Sequence, residues 1–285
     1  MKFRVSCRLD YLIQSPATLL YNVRVRPSHS LVVLEERFAL TPNIPTELVV
    51  SEPDSNRFDR VRFITGEQLV LEYEATVEAA VQMLNAESLR KVAPGNLSPD
   101  NLPYLLPSRY CQSDLLARFA WQKFGQIGDA YDQVLEITKW IHENVEYTIG
   151  STNAGTSAYD TVTQCAGVCR DFAHLGIALC RALTIPARYF SGYAYRLEPP
   201  DFHACFEAFI GGYWLLFDAT KLSSPNGLVR IGSGRDAADV SLCTAFGFAN
   251  PKEQTVQCEV LSNDYQPLTE EQLRTTAISL DAPEP

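Results

Sequence analysis

One cysteine in this sequence stands where a thiol could become a nucleophile. Cys169 follows Gly167 in the stretch GVCRDFAHLGIALCRAL, where a loop gives way to a long apolar helix. Unpaired backbone N–H groups and the positive end of the helix dipole favour a thiolate at the first turn of a helix. A thiolate nucleophile also needs a base beside it and a group that orients the base. If the chain supplies neither, Cys169 is only a packing residue.

Of the four histidines, position favours one as the base. His174 comes five residues after Cys169, which is about 500° around a helix, so its side chain points away. We expect His174 to be structural and to bond to a neighbour. His29 lies in a β-rich region and His142 on the polar face of a helix. His203 therefore remains as the candidate base.

The stretch FHACFEAFIGGYWLLFDAT predicts a hairpin that carries His203 on its first strand. Gly211-Gly212 is typical of a two-residue hairpin loop. If Ile210 pairs with Tyr213, Cys205 faces Asp218 across the hairpin. Directly opposed residues share a face, as do residues two apart, so His203 and Asp218 become diagonal neighbours, about 7–8 Å apart or somewhat less.

This register predicts a Cys169–His203–Asp218 arrangement. Asp218 would hold one tautomer of His203, which would take or share the proton of Cys169. The opposite face of the hairpin is apolar and consists of Ala204, Phe206, Ala208, Ile210, Tyr213, Leu215 and Phe217. We therefore expect the polar pair on the side that meets the buried helix. Glu207 shares the face of His203 and, if buried, needs a partner such as an arginine.

Hydrophobic patterning predicts the elements that position these residues. Alternation in KFRVSCRL, YNVRVR and LVLEYEATVE predicts an antiparallel β-sandwich over residues 1–91. Residues 92–107 hold four prolines and predict a linker. Residues 108–285 form the predicted catalytic domain, an α+β arrangement of helices followed by an antiparallel sheet. Within it we expect three helices: one capped by Ser113, one from about Asp129 to Glu146, and the buried helix that begins near Cys169. The tail DAPEP is predicted to be disordered.

Composition narrows the class of partner. A net charge of −10 and no clustered Lys or Arg argue against a nucleic-acid partner. The N-terminus has no apolar run typical of a signal peptide, and no stretch suits a membrane span. We therefore expect a cytoplasmic location with the eight cysteines mostly reduced. No signal in the sequence sets an oligomeric state.

Three blocks resemble a known family in order and spacing: GVCRDFAHLGIALCRALTIPARYFSGY, DFHACFEAFI and WLLFDAT. They are similar to the bacterial transglutaminase-like superfamily, whose core is related to papain-type cysteine peptidases. The resemblance runs from about residue 104 to 240, and the first ~90 residues resemble the family's N-terminal domain. It implies that Cys169 is the nucleophile, His203 the base and Asp218 the orienting acid. Many relatives have Trp where this chain has Cys205, which implies a roomier pocket with a second thiol.

These residues predict a cysteine-dependent acyl-transfer enzyme that acts on a protein or peptide. Hydrolysis is the favoured outcome, and transamidation by an amine acceptor is the alternative. No cofactor is implied, and no D-x-D-x-D-G calcium loop is present. The backbone N–H of Cys169 is one natural oxyanion donor, and Gln164, Tyr147 or Trp140 could supply a second.

Three other interpretations stay open. A zinc site could use Cys165 and Cys169 with Cys180 and Cys205, but the second close pair typical of zinc sites is missing. Cys165 and Cys169 could form a redox pair, although their spacing is not C-x-x-C. A non-catalytic binding module of the same fold is the third alternative.

Overall fold

In the computed structural model, which describes residues 1–52, 54–63 and 68–284, the N-terminal region is an antiparallel β-sandwich. Its first sheet has the order β15-β1-β6-β3. These strands are β1 (Lys2–Ile13), β3 (Leu31–Thr41), β6 (Gln68–Ala79) and β15 (Ala249–Val260). The second sheet has the order β14-β2-β5-β4. Its strands are β2 (Ala17–Tyr21), β4 (Thr46–Val50), β5 (Arg57–Phe63) and β14 (Cys243–Phe246).

The alternation of side chains in the first strand explains how the two sheets form one core. Phe3, Val5, Cys7 and Leu9 are buried and pack in a cluster that also contains Leu19 of β2. The residues between them point away from this core, because successive side chains of a strand lie on opposite faces. The predicted β-sandwich is confirmed, but the predicted strand YNVRVR is wrong, since β2 ends at its first residue, Tyr21.

The second region is a mixed α/β core around a six-stranded sheet of order β13-β10-β11-β12-β16-β7. Its strands are β7 (Gln82–Asn85), β10 (Ala187–Ala194), β11 (Phe202–Ile210), β12 (Tyr213–Phe217), β13 (Leu228–Gly234) and β16 (Thr276–Ser279). The helices are α1 (Ser113–Phe124), α2 (Ala130–Asn144), α3 (Ala158–Gln164), α4 (Cys169–Ala182) and α5 (Glu270–Leu273). A short parallel pair, β8 (Glu146–Tyr147) and β9 (Ala166–Gly167), leads into α4.

Strand pairing crosses the domain boundaries predicted from the sequence. Strands β14 and β15, from the C-terminal part of the chain, pair with β2 and β1 of the sandwich. In return, β7 joins the core sheet by pairing with β16. The boundaries at residues 91 and 108 stay a prediction, but the sheets themselves are built from both ends of the chain. The two regions therefore share backbone hydrogen bonds as well as side-chain contacts.

Helix α4 packs on the apolar face of β11. The sequence analysis placed the polar face, which carries His203, against this helix, and that prediction was wrong. Ala204, Phe206 and Ala208 lie in one buried cluster with the apolar residues of α4. The close approach depends on Gly176, where an added Cβ would come within 2.5 Å of the Phe206 ring. His203 lies on the opposite face of the strand, as the strand alternation requires.

Two helix starts differ slightly from the expected positions. Ser113 is the first residue of α1, and Gln112 occupies the N-cap position. Asp129 is the N-cap of α2, and its side chain accepts a hydrogen bond from the Tyr131 N–H. Among the described residues, no helix is long and apolar enough to cross a membrane.

The C-terminal tail is ordered as far as residue 284, which corrects the expectation of disorder; Pro285 lies outside the described residues. The Glu284 carboxylate accepts hydrogen bonds from Trp214 Nε1 at 3.0 Å and from Asn101 Nδ2 at 2.8 Å. Asp281 pairs with the buried Arg188 and Arg230. Composition predicted disorder because it does not reveal that these few polar residues have buried partners.

Glu207 has the arginine partners that its burial demands. Arg188 Nε donates to its carboxylate at 2.7 Å, and Arg230 donates to the other oxygen. Arg26 completes the group through Asp281, at 3.5 Å. Three arginines and two carboxylates thus form a buried ion cluster on the face of β11 that does not meet α4.

Candidate active site

Cys169 is the first residue of α4, as predicted, and its thiol is half-buried at the helix N-terminus. Asp171, fully buried, accepts a hydrogen bond from the Val168 N–H at 3.0 Å. Arg170 and Thr152 donate to the same carboxylate at 3.0 and 2.8 Å. This capping satisfies an N-terminal backbone donor and fixes the first turn that carries the thiol.

His203 and Asp218 form a buried hydrogen-bonded pair. His203 Nε2 lies 2.8 Å from Asp218 Oδ2, and the two residues are 2% and 6% exposed. The register follows the predicted one, with Ile210 opposite Tyr213 and Phe206 opposite Phe217. The ladder ends at Phe217, so Asp218 lies just past the strand and turns towards the histidine.

Asp218 is held by more donors than His203 alone. Its Oδ1 accepts the backbone N–H of Thr220 at 2.9 Å and the Thr220 hydroxyl at 2.7 Å. The Ser223 N–H lies 3.3 Å from Oδ2. Sequence reasoning missed Thr220 and Ser223, although an Asp followed two residues later by Thr is a typical side-chain-to-backbone turn. These bonds fix the carboxylate that orients the imidazole.

The pair favours a charged imidazole next to a charged carboxylate. Burial raises the pKa of Asp218, but His203 and the Thr220 hydrogen bonds outweigh it, so this pKa lies below its usual range. Burial disfavours the imidazolium of His203, but Cys205, Asp218 and the Cys169 thiol together raise its pKa well above the usual value. His203 can therefore hold a proton at neutral pH, as a leaving amine requires.

The Cys169 thiol lies beside His203 and contributes to the raised pKa of the ring. His203 Nδ1, the nitrogen that Asp218 does not use, is buried and finds no nitrogen or oxygen partner in the described part of the chain. The structure thus brings the three predicted residues together in the order sulfur, imidazole, carboxylate. Catalysis of the papain type, by a nucleophile, a base and a group that orients the base, needs this order.

Tyr147 is the one of the three candidate oxyanion donors that reaches the thiol. Its hydroxyl interacts with the backbone N–H and the side chain of Cys169, and burial together with the nearby Cys169 raises its pKa to about 12. The hydroxyl is therefore a neutral donor at physiological pH. Trp140 packs its indole against Phe119, with ring centroids 5.1 Å apart, and Gln164 is exposed at the end of α3.

Cys205 does not line an open pocket. It is 1% exposed and packs in a small apolar cluster with Phe190 and Leu216. One ligand atom from each of His203, Cys205 and Asp218 lies within 4.8 Å of the others. Burial raises the pKa of the Cys205 thiol to about 12. These three residues form a group, within the described part of the chain, that could hold a metal ion.

His174 has the structural role expected for it. Its Nε2 accepts a hydrogen bond from the Ala237 N–H at 3.1 Å, and its ring stacks on Tyr110 with centroids 4.9 Å apart. Burial lowers the pKa of His174 well below its usual value, so the ring is neutral. It therefore packs and bonds without facing the thiol.

A cavity of about 810 Å³ adjoins the Asp218 end of the predicted triad. Its walls come from α2, the loop after β12 and the segment around α5. Leu216, Phe217 and Asp218 line it at the edge of the core sheet. Of the three predicted site residues, Asp218 is the one among those lining this space.

Comparisons with known proteins agree with this architecture. The family described as "Bacterial transglutaminase, N-terminal domain" matches residues 1–100. The "Transglutaminase-like superfamily" core matches residues 118–219. A solved protein from Cytophaga hutchinsonii, titled a "Putative Cysteine Protease", is 46% identical with a TM-score of 0.96 and covers 99% of this chain and 98% of its own.

More distant curated relatives come from mycobacteria. An uncharacterised protein of Mycobacterium leprae is 28% identical over 145 residues, 48% of this chain. One of Mycobacterium tuberculosis is 27% identical over 183 residues, 59% of this chain. The chain spans about half the length of these relatives, 52% and 57% respectively. From the fold, the assembled residues and the near-complete match to the Cytophaga hutchinsonii structure, the chain belongs to the transglutaminase-like superfamily, with a bacterial transglutaminase N-terminal domain.

Proposed function

We propose that this chain is a cysteine-dependent acyl-transfer enzyme in which Cys169, His203 and Asp218 form the catalytic triad. The observation that carries the proposal is the 2.8 Å bond between His203 and Asp218, with the Cys169 thiol beside the same imidazole. The 46% identity to a protein titled a "Putative Cysteine Protease" supports the same reaction class.

The first half-reaction forms a thioester. Cys169 Sγ attacks a peptide or side-chain carboxamide carbon, and His203 carries the thiol proton. Collapse of the tetrahedral intermediate breaks the C–N bond, and His203 gives its proton to the leaving amine. Asp218 stabilises the imidazolium while it exists and holds the ring in one orientation.

The tetrahedral oxyanion needs hydrogen-bond donors that are already in place. The backbone N–H of Cys169 is one, at the N-terminus of α4 where the helix dipole is positive. Tyr147 is the second in this proposal, because its neutral hydroxyl lies against the same N–H and thiol. Tyr147 lies in β8, which pairs with β9, and β9 leads directly into Cys169 at the start of α4. This pairing places the two donors next to each other.

Water resolves the thioester in the favoured reaction, which makes the chain a hydrolase of peptide or carboxamide bonds. An amine acceptor would make it a transglutaminase by the same first half-reaction. The Cys169 thiol is only half-buried, so water can reach a thioester formed on it, which favours hydrolysis. The two outcomes differ only in the second nucleophile.

A peptide-library digest with and without a primary amine tests the proposal and separates the two reactions. Mass spectrometry should show cleaved or deamidated peptides from the wild type, and amine-bearing products only if transamidation occurs. Cys169→Ala should lose all products, whereas Cys165→Ala, which removes an exposed thiol, should keep them. Full activity of a folded Cys169→Ala chain would refute the mechanism.

A further inference from the structure

The polar end of the triad contains a third metal-ligating group that the acyl-transfer reaction does not use. Cys205 follows His203 by two residues on β11 and shares its face. Ligand atoms of His203, Cys205 and Asp218 all lie within 4.8 Å of one another. A nitrogen, a sulfur and a carboxylate oxygen thus converge on one buried point.

This donor set suits a small, borderline-soft cation. Zinc takes imidazole nitrogen, thiolate sulfur and carboxylate oxygen at about 2.0–2.3 Å, usually in tetrahedral geometry. Ligand atoms at those bond lengths lie about 3.5 Å apart. Side-chain rotations that move the ligand atoms by about 1 Å would therefore complete the site. Residue spacing does not reveal this site, because its donors come from β11 and from the residue after β12 and lack the close cysteine pairs of common zinc motifs.

A route to this point exists although the three side chains are buried. Asp218 lines the 810 Å³ cavity next to Ser223 and Lys221, so solvent comes close to this end of the cluster. Water from the cavity can fill the remaining coordination position, as in zinc sites with three protein ligands.

We propose that the chain binds one Zn²⁺ ion through His203, Cys205 and Asp218, and that binding withdraws His203 and Asp218 from the triad. On binding, the Cys205 thiol and the His203 imidazolium each release one proton to solvent, and the His203–Asp218 hydrogen bond gives way to one bond from each of these residues to the metal. No group is oxidised or reduced. The binding depends only on the cluster, whereas the resulting inhibition rests on the proposed function.

Cobalt(II) is a suitable probe, because it occupies tetrahedral zinc sites and reports thiolate ligation by a charge-transfer band. The full chain carrying Cys169→Ala removes the nucleophile as a competing ligand. After chelator treatment, this variant should take up one Co²⁺ per chain with a thiolate band, release about two protons per ion, and lose the band when Zn²⁺ is added.

Matched variants in the same background identify the ligands. Cys169→Ala/Cys205→Ser should lose the thiolate band and bind at least about tenfold more weakly, a difference of about 1.4 kcal/mol. Cys169→Ala/Cys165→Ser removes an exposed thiol and should behave as its parent does. Cys169→Ala/Asp218→Asn keeps the thiol and the shape of the side chain, and should weaken binding even if the Cys205 variant fails to fold.

Two results would overturn this inference. One is the absence of cobalt binding by the folded Cys169→Ala chain at millimolar metal; the other is a thiolate band that survives Cys205→Ser. Failure of the proposed function has a different signature, since the wild type would then process no peptide while the cobalt titration still reported binding. In an active wild type, Zn²⁺ should inhibit, and Cys205→Ser should reduce that sensitivity.

Discussion

At the residue scale, the site depends on a carboxylate held by fixed donors. Thr220 and Ser223 bond to Asp218, so the aspartate presents one oxygen to His203 instead of rotating between partners. This arrangement keeps a buried carboxylate ionised, because each charge or hydrogen bond offsets part of the cost of burial. The same arrangement gives the imidazole its proton, and with it a pH-dependence that can be measured.

Asp218→Asn should move the alkaline limit of activity to lower pH. The charged Asp218 helps to raise the pKa of His203 above its usual value, so the wild-type ring keeps its proton to higher pH. Loss of the negative charge lowers that pKa, and the imidazolium needed to protonate the leaving amine then disappears at lower pH. A pH profile of kcat/KM measures the shift, and an unchanged alkaline limb with lower activity throughout would contradict it.

Tyr147→Phe should lower kcat by about 10²-fold, the usual range for one oxyanion donor, and leave KM nearly unchanged. The hydroxyl contributes only once charge develops on the carbonyl oxygen. Tyr159, an exposed tyrosine on α3, is the matched control, and Tyr159→Phe should retain wild-type kinetics. If Tyr147→Phe changes KM alone, the tyrosine binds substrate instead of stabilising the oxyanion.

At the element scale, the hairpin could be read from the sequence but the packing of the helix on it could not. Gly211 and Gly212 have φ values of +64° and +85°, which suit a two-residue turn, and that turn fixes the register that pairs His203 with Asp218. Both faces of β11 are buried. Because alternation tells the faces apart only when one meets water, the pattern could not show which face meets α4.

Gly176→Ala tests this contact. Alanine in a helix interior is usually favoured over glycine by about 1 kcal/mol. Here its Cβ would come within 2.5 Å of the Phe206 ring, and overpacking of this kind costs about 1–3 kcal/mol. We therefore expect no stabilisation, and most simply a net loss of about 1 kcal/mol.

Urea denaturation of Gly176→Ala measures the change in the free energy of unfolding. Gly128→Ala is the control, since an added Cβ there meets no atom within 4 Å and should change stability little. A clear stabilisation by Gly176→Ala would mean that α4 does not approach Phe206 as closely as described.

At the scale of the whole molecule, both regions are held by the two ends of the chain. Most side chains of β15 are exposed, so its sequence lacks the apolar alternation that predicted β1 and β6. Its pairing with β1 depends on backbone hydrogen bonds, which do not require apolar side chains. For the buried ion cluster, the sequence predicts only that Glu207 needs an arginine partner. It does not reveal that Asp281, in a short polar tail, pairs with the same arginines.

Asp281→Asn should destabilise the chain by about 3 kcal/mol, because it leaves three buried arginines facing one carboxylate. Burial raises the pKa of Asp281, but Arg230, Arg188 and Arg26 outweigh it and hold this pKa well below its usual range. A carboxyl with a lowered folded-state pKa contributes stability that is complete above its unfolded pKa, about 3.9. That stability is lost as pH falls through the folded-state value.

The difference in unfolding free energy between the wild type and Asp281→Asn should therefore stay constant from about pH 8 to pH 5 and shrink below about pH 4. Urea denaturation across this range measures it. Asp264→Asn, at an exposed position, is the control and should match the wild type throughout. A difference that grows as pH falls would mean that Asp281 is protonated in the folded state, so the arginines would not be neutralised by the tail.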